Sequence, residues 1–386
     1  MASGIHAGIK RKKKDIALVV SDVPAFSAGV FTQSKTKAAC VLIDQRQLER
    51  SAYATAILVN SGNANACTGR RGMNDALQSI KTTSYVLGIP QSHVLVSSTG
   101  VIGQFLPMKK IHSGIREASK CVRKEGNIDA AEGICTTDTF TKEYAVEIKI
   151  GGVPVRIGGI AKGSGMIAPN MATMLAFITT DVNVTHSLLR KALNRATETS
   201  FNRITVDGDT STNDMVLVLA NGKAKNPLLK ENTPAYRLFY RVFEHVMIAL
   251  SKMIVLDGEG ATKFVEVTVS GAKSREDAEK AGRTICNSML VKTAIHGEDA
   301  NWGRILAAVG RSGIDFNPDN TEIFFGGLRI LGRNYRISFS EEKAKKILQQ
   351  KKITVTVDLH GGKHSATFWT CDLSKGYVDI NASYRS

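Results

Sequence analysis

Residues 161–181 read AKGSGMIAPNMATMLAFITTD and join a glycine-rich loop directly to an apolar run. The glycines and the proline of residues 162–170 predict a loop, whereas residues 171–178 predict a strand that is buried in a core. Thr173 lies in the middle of this apolar run. The simpler interpretation is that Thr173 is an ordinary β-branched strand residue. The chemical alternative is that the loop holds the carbonyl group of Ala172 within reach of the Thr173 hydroxyl.

That alternative has a defined outcome. Attack by the Thr173 hydroxyl would move the acyl group from nitrogen to oxygen, and hydrolysis would leave Thr173 as a new N-terminal residue. Such a residue carries a hydroxyl nucleophile and its own α-amine, whose pKa of about 7.7–8 suits a general base at neutral pH. The small side chain of Ala172 leaves the carbonyl accessible. The residues alone leave both interpretations open.

Length and composition indicate a globular chain with room for two domains. The chain has 386 residues, of which 43% are hydrophobic, and this is enough for a large core. The pattern changes to a second α+β module after the sequence DGEG at residues 257–260. We therefore expect domains at residues 1–260 and 261–386.

The cysteines and the apolar runs restrict where the protein works. Six cysteines are present without a C-x-x-C pair, so neither a zinc site nor a redox dithiol is predicted, and a reducing compartment is favoured. No apolar run reaches the roughly 18 residues that a membrane-spanning helix needs. The N-terminus lacks the apolar core of a signal peptide. We expect a cytoplasmic protein without a membrane partner.

The formal net charge of +16 makes nucleic-acid binding a possible function. The densest basic run is KRKKK at residues 10–14. No stacking aromatic residues or recognition-helix pattern accompany it. A solvated basic surface is therefore favoured over a nucleic-acid partner.

Hydrophobic periodicity predicts mixed structure of the α+β class. Alternating residues on either side of Gly151 and Gly152 predict a β-hairpin. Apolar residues at helical spacing predict a helix at residues 186–200 and a buried helix at residues 234–255. The elements predicted after residue 260 are a strand at 264–270, helices at 274–289 and 301–309, short strands, a charged helix at 341–350, and a final strand at 353–359.

The sequence KGSGMIAPNMATMLAFI at residues 162–178 closely resembles the self-cleaving segment of the ornithine acetyltransferase family, also called glutamate N-acetyltransferase, of the arginine pathway. Other blocks resemble the same family in the same order, and together they cover nearly the whole chain. They are AGVFT (28–32), NSGNANACTG (60–69), STGVIGQFLPM (98–108), TTDTF (136–140), DGDTSTND (207–214), VLDGEGATKF (255–264), HGEDANWGRILAAVG (296–310) and INASYRS (380–386).

The resemblance implies a catalytic role for three residues. Thr173 corresponds to the nucleophile of the family, and the bond between Ala172 and Thr173 corresponds to its cleavage site. Thr99 and Gly100 correspond to its oxyanion hole. A hydroxyl and a backbone N–H suit that role, because one such donor stabilises a transition state by about 3 kcal/mol.

The resemblance also implies a substrate site. For the first residue of this site, Thr136, the neighbouring Thr137 is an alternative. N-acetylornithine carries a carboxylate and an ammonium group, and Lys162 and Glu259 are suitable partners for the two charges. The substrate-binding residues that correspond to the family are Thr136, Lys162, Thr173, Glu259, Asn381 and Ser386.

For the whole protein, the resemblance implies a self-processed αββα-type sandwich followed by a smaller C-terminal α+β domain. Cleavage would give an α chain of residues 1–172 and a β chain of residues 173–386, with two of each in the assembly. The implied reaction moves an acetyl group from N2-acetyl-L-ornithine to L-glutamate through an acetyl-threonine intermediate. It needs no metal or redox cofactor. The resemblance leaves open whether the enzyme also accepts acetyl-CoA as a second acetyl donor.

Three positions depart from the family pattern. The chain ends in Ser386 where threonine is expected, which keeps a hydroxyl and a carboxylate. Cys135 precedes the TTD block, and Thr141 replaces a proline after it. None of these changes removes a reactive group.

Two other functions stay open: a self-processed amidase or aminopeptidase of the same fold, in which water replaces glutamate, and a basic nucleic-acid-binding protein.

Overall fold

The computed structural model describes residues 1–168 and 174–383, which form two compact units. The first unit contains Met1–Asn202 and Asp209–Ile254. The second contains Arg203–Gly208 and the chain from Val255 onward. The predicted residues Ala172, Thr173 and Ser386 lie outside the described residues.

The first unit contains a hydrogen-bonded sheet with eight described strands. Its order is β4-β3-β2-β8-β7-β6-β5, and β1 pairs with β2. The strands are β1 (Ala2–Ile5), β2 (Ile16–Phe31), β3 (Tyr53–Asn63), β4 (Val94–Val101), β5 (Lys142–Ile150), β6 (Val153–Lys162), β7 (Leu175–Thr180) and β8 (Met215–Ala220).

Strand β2 changes partners along its length. Its first half pairs with β1 and β3, its last six residues pair with β8, and the register with β3 shifts between Val20 and Ala25. A strand that changes partners at an irregularity lets one sheet fold into two layers. Asn213, just before β8, donates to the carbonyl of Ser98 near the end of β4 at 2.8 Å. The two parts of the sheet therefore meet at these strand ends.

The helices of the first unit cover this sheet. Side chains of α1 to α4 share one hydrophobic core with β1 to β4 and with buried residues of β6, β7 and β8. Leu250 of α6 lies next to Gly159 of β6. The helices are α1 (Ala39–Arg50), α2 (Gly69–Leu87), α3 (Met108–Lys120), α4 (Asn127–Ile134), α5 (His186–Thr199) and α6 (Pro234–Leu256).

The second unit is an α+β module around a five-stranded sheet of order β11-β10-β12-β9-β13. Its strands are β9 (Phe264–Ala272), β10 (Glu322–Phe325), β11 (Leu328–Leu331), β12 (Lys352–Asp358) and β13 (His364–Cys371). Its helices are α7 (Arg275–Cys286), α8 (Met289–His296), α9 (Trp302–Gly310), α10 (Glu341–Leu348) and α11 (Lys375–Ala382).

The structure confirms most of the predicted elements. The hairpin is β5 and β6, paired antiparallel across residues 151–152, and the two predicted helices are α5 and α6. The side chain of Thr185 caps α5 by accepting from the N–H of Leu188. The strand predicted at 353–359 is present as β12, but the prediction that it is the final strand is wrong, because β13 and α11 follow it. In the described parts of the chain, the helices are too short or too polar to span a bilayer.

The register of β6, β7 and β8 determines where the quoted segment lies. Lys162, the last residue of β6, pairs with Leu175, the first residue of β7, and Leu175 pairs with Met215 at the start of β8. Leu175 and its neighbours to Ile178 are buried, as predicted. The peptide that contains Thr173 is therefore joined to the same end of the sheet that carries Lys162.

Candidate active site

The predicted oxyanion residues lie at the end of β4, which runs parallel to β3. Gly100 has φ +130°, and a Cβ atom there would lie 2.3 Å from the carbonyl carbon of Gly62. Backbone of this conformation, in contact with a neighbouring strand, accepts only glycine. The glycine of the Ser-Thr-Gly sequence is thus required by the close approach of two strands.

Lys162 brings three of the predicted residues together. Its Nζ donates to the hydroxyl of Thr136 at 2.7 Å and to the hydroxyl of Thr99 at 3.4 Å. The lysine side chain is only 7% exposed. The hydroxyl of Thr137, the alternative to Thr136, bonds instead to Ser164 at 2.7 Å. A buried cation therefore connects the predicted oxyanion residue to a predicted substrate-binding residue.

Asp138 organises this cluster, and the sequence prediction missed it. Its Oδ1 accepts from Lys142 Nζ at 2.7 Å and from the N–H of Gly163 at 2.8 Å. Its Oδ2 accepts from the N–H of Thr136 at 2.9 Å and lies 3.9 Å from Lys162 Nζ. One carboxylate thereby holds the TTD loop, the start of β5 and the entry to the glycine-rich loop.

Opposing effects act on the pKa of Asp138. Burial alone would raise it, but the charges of Lys162 and Lys142 hold the pKa well below its ordinary value of 3.8. A third cation is close by, since Lys10 Nζ donates to the carbonyl of Cys135 at 2.8 Å. Desolvation by burial lowers the pKa of Lys10 to about 8. The cluster is therefore electropositive around one ionised carboxylate.

The basic run at residues 10–14 is not a wholly solvated surface. Lys13 Nζ lies 3.5 Å from the carbonyl oxygens of both Thr136 and Asp138, and Lys14 pairs with Asp129 and Glu132. These lysines, together with Lys10, bind acceptors in residues 129–138. The structure thus gives much of this run a structural role beside the site.

The DGDTSTND block supplies two further residues to which sequence reasoning assigned no role. Asn213 Nδ2 donates to the carbonyls of Ala64 and Ser98, at 2.6 and 2.8 Å, and so holds the chain just before Thr99. The carboxyl group of Asp214 accepts hydrogen bonds from Met174 and Ser211. The only sequence signal was that the block resembles the family.

Glu259 and Asn381 come together in the second unit. Asn381 Nδ2 donates to Glu259 Oε2 at 2.9 Å, and Glu259 is 8% exposed. Asp372 supports the following segment by accepting from the N–H groups of Thr262 and Lys263, each at 2.8 Å. The predicted acidic residue is therefore buried and has a partner from the C-terminal helix.

A cavity of about 650 Å³ lies elsewhere in the first unit, along β5 to β8 and the first part of β2. None of the predicted site residues lines it. Two of its acidic side chains have partners within the protein: Asp22 pairs with Lys223, and Glu143 accepts from Asn127. Among the described residues, no group of three or more metal-binding side chains is placed to hold an ion.

Sequence comparison supplies the class of the protein. A family model described as "ArgJ family" matches residues 1–386. The arginine biosynthesis bifunctional protein ArgJ of Symbiobacterium thermophilum is 50% identical over all of this chain and 96% of its own length. The protein of the same name from Listeria monocytogenes is also 50% identical, with the same two coverages.

A solved structure agrees. The arginine biosynthesis bifunctional protein argJ from Bacillus halodurans is 45% identical, with a TM-score of 0.53, over 54% of this chain and 98% of the solved one. The predicted α+β, ornithine-acetyltransferase-like fold is confirmed. Fold and site together define an acetyl-transferring enzyme of arginine biosynthesis. The chain belongs to the ArgJ family.

We expect Asp138→Asn to lower the free energy of unfolding by about 3 kcal/mol at pH 7, because it leaves buried lysines without their anion. The folded-state pKa of Asp138 lies below its unfolded value, so the ionised form stabilises the fold above that value. This stabilisation is lost as the pH falls through the folded-state pKa. Urea unfolding of both proteins from pH 7 downward should show the difference shrinking below pH 3.8.

The matched control is Asp315→Asn, since the Asp315 side chain is 87% exposed and pairs with a surface lysine, Lys273. It should leave the free energy of unfolding essentially unchanged, because surface ion pairs contribute little to stability. A loss at Asp138 that stays constant down to acid pH would contradict the ionised state assigned to this carboxyl.

Proposed function

We propose that the chain cuts itself between Ala172 and Thr173 and uses Thr173 to move the acetyl group of N2-acetyl-L-ornithine to L-glutamate. The observation that carries this proposal is the contact of Lys162 with the hydroxyls of Thr136 and Thr99. This cation and these hydroxyls lie at the end of the sheet to which the peptide of Thr173 is joined. The family to which the chain belongs gives further support.

In the first half-reaction, Thr173 Oγ attacks the acetyl carbonyl carbon while its own α-amine takes the hydroxyl proton. The tetrahedral oxyanion is stabilised by the Thr99 hydroxyl and the Gly100 N–H. When the intermediate collapses, the C–N bond breaks and the proton passes to the leaving nitrogen. Ornithine departs and an acetyl ester remains on Thr173.

The charged groups hold the substrate in this scheme. Lys162 binds the α-carboxylate, and the electropositive surroundings of Lys142 and Lys10 favour an anion there. Glu259, fixed by Asn381, binds the side-chain ammonium of ornithine. Thr136 and the terminal Ser386 complete the substrate site.

In the second half-reaction, the α-amine of glutamate attacks the acetyl ester. The same oxyanion residues stabilise the second tetrahedral intermediate, and N-acetylglutamate leaves as the ester bond breaks. Thr173 Oγ recovers its proton. Both steps use only side chains and substrates, so we propose a reaction without a metal or redox cofactor.

We further propose that two α chains (1–172) and two β chains (173–386) assemble in the cytoplasm. The strand β7 that follows the cut is buried between β6 and β8, so separation of the fragments would expose a core strand. Native mass spectrometry measures this assembly. A mass of one cut chain would contradict it.

The first expected result concerns self-cleavage. Intact mass under denaturing conditions should give two wild-type fragments that meet at Ala172 and Thr173, because only the threonine hydroxyl can form the ester that hydrolyses. Thr173→Ala should stay whole, and the matched variant Thr173→Ser, which keeps a hydroxyl, should still be cut. A single uncut wild-type chain would rule out the mechanism, since Thr173 would have no free α-amine.

The second expected result separates the two substrates. Glu259→Gln removes the charge that faces the ammonium of acetylornithine, and charge-assisted hydrogen bonds contribute about 1.5–3 kcal/mol. We expect KM for acetylornithine to rise about 10-fold to 100-fold, whereas KM for glutamate, which lacks a side-chain ammonium, should not rise. Steady-state kinetics with each substrate varied in turn measures both values. Equal increases would contradict the assigned role.

Two assays distinguish the neighbouring functions. Rapid deacetylation of acetylornithine without glutamate would indicate an amidase.

Relatives of the chain are named bifunctional, and we include N-acetylglutamate formation from acetyl-CoA in the proposal. Product from glutamate with acetyl-CoA as the sole donor supports this second activity. No product above background limits the enzyme to recycling the acetyl group.

A further inference from the structure

Asp214 is a buried carboxyl that the proposed mechanism does not use. It is 1% exposed and directly precedes β8. It accepts hydrogen bonds from the backbone N–H of Met174 and from Ser211. Its Oδ2, however, has no hydrogen-bond partner within residues 1–168 and 174–383. A buried acceptor without a donor costs about 1–3 kcal/mol, so its retention requires an explanation.

The bonded geometry of the chain suggests what the missing donor is. The Met174 nitrogen that binds Asp214 belongs to the peptide bond formed by the carbonyl carbon of Thr173. Only the Cα and carbonyl carbon of Thr173 separate that nitrogen from the Thr173 nitrogen, a distance of at most about 3.7 Å. Cleavage before Thr173 turns its nitrogen into an α-amino group with additional N–H donors. The cut thus creates donors beside a carboxyl that lacks one.

We propose that Asp214 is the positioning residue for the α-amino group of Thr173, and that its Oδ2 accepts an N–H from this group once the chain is cut. The inference rests on the proposed function, because it requires Thr173 to be an N-terminal residue. In this role Asp214 contacts the general base, which is the α-amine of Thr173, and does not contact the substrate.

This placement supports the proton transfer. When the α-amine takes the proton from Thr173 Oγ, a positive charge forms on its nitrogen. A carboxylate in contact with the nitrogen orients the amine and stabilises that charge, as the aspartate of a catalytic triad does for histidine. The charge disappears again when the proton passes to the leaving nitrogen of ornithine. Asp214 stays ionised throughout and gains or loses no atom.

The state of Asp214 should also differ before and after the cut. Burial raises the pKa of Asp214 well above its ordinary value, and the charge of Lys162 opposes this only in part. In the uncut chain, burial therefore favours the protonated form of this carboxyl. An α-ammonium group in contact favours the ionised form. Cleavage thus shifts the carboxyl toward its ionised form.

The first test is Asp214→Asn, which keeps the size of the side chain and an acceptor for the Met174 N–H but carries no charge. An anion raises the pKa of a neighbouring amine, so its removal lowers that pKa. We expect self-cleavage to continue, kcat to fall about 100-fold, and the acid limb of the kcat/KM profile to move to lower pH by about one unit. A purely structural role would lower the rate equally at every pH.

The matched control is Asp44→Asn. Asp44 is also fully buried, burial raises its pKa too, and it accepts from the backbone N–H of Val96. It has no part in the proposed mechanism. The acid limb of this variant should coincide with that of the wild type. An equal shift in both variants would overturn the specific role of Asp214.

A second measurement needs no change at Asp214 and so does not depend on the variant folding. Infrared spectra recorded over a range of pH should show the protonated-carboxyl band of Asp214 disappearing at lower pH in cut wild type than in uncut Thr173→Ala. Asp44 contributes to both spectra and cancels in the difference. Identical carboxyl bands in the two proteins would overturn the inference.

The outcomes separate this inference from the proposed function. A wild-type chain that is not cut, or that is cut but transfers no acetyl group, overturns the proposed function itself. Normal cleavage and transfer, with an acid limb that does not move in Asp214→Asn, overturns only the role of Asp214.

Discussion

The ionised carboxylate of Asp138 between Lys142 and Lys162 is the interaction on which the site depends. Two buried lysines without an anion would cost several kcal/mol each, and a buried aspartate without them would be protonated. Because Oδ1 also binds Gly163 and Oδ2 binds Thr136, the same carboxylate fixes the backbone on both sides of the cation. Two positive charges share one negative charge, so the site keeps a positive potential that suits an anionic substrate.

The adjacent residues Asn213 and Asp214 connect the end of β4 to the start of β7. Asn213 donates to the carbonyl of Ser98, next to the predicted oxyanion residue Thr99, while Asp214 accepts from the N–H of Met174, next to the predicted nucleophile Thr173. One dipeptide thus connects the end of β4, which carries the predicted oxyanion residues, to the start of β7, which follows the predicted nucleophile.

Sequence patterns predicted the elements with strong periodicity and the motif residues. They did not predict the residues whose hydrogen bonds fix the motif residues in place. Asn213 and the carbonyl of Ser98 are 115 positions apart, and no local pattern reports such a contact. Helix α11 was missed because it has no buried face that would give a helical period. Strand β13 was missed because its last four residues are all buried, which removes the alternation typical of a half-exposed strand. The glycine at position 100 was predictable, because a resemblance to a motif was sufficient to find it.

The change of partners along β2 has a consequence for the order of events during synthesis. The last six residues of β2 pair with β8, which is made almost 190 residues later. Until then this edge has no partner, and long-range pairing of this kind forms slowly and exposes strand edges meanwhile. Because β8 pairs with β7 and directly follows Asn213 and Asp214, the strand arrangement around Leu175 cannot exist on a shorter nascent chain. The topology would therefore delay the proposed cut until both proposed fragments have been synthesised far enough to remain bound to each other.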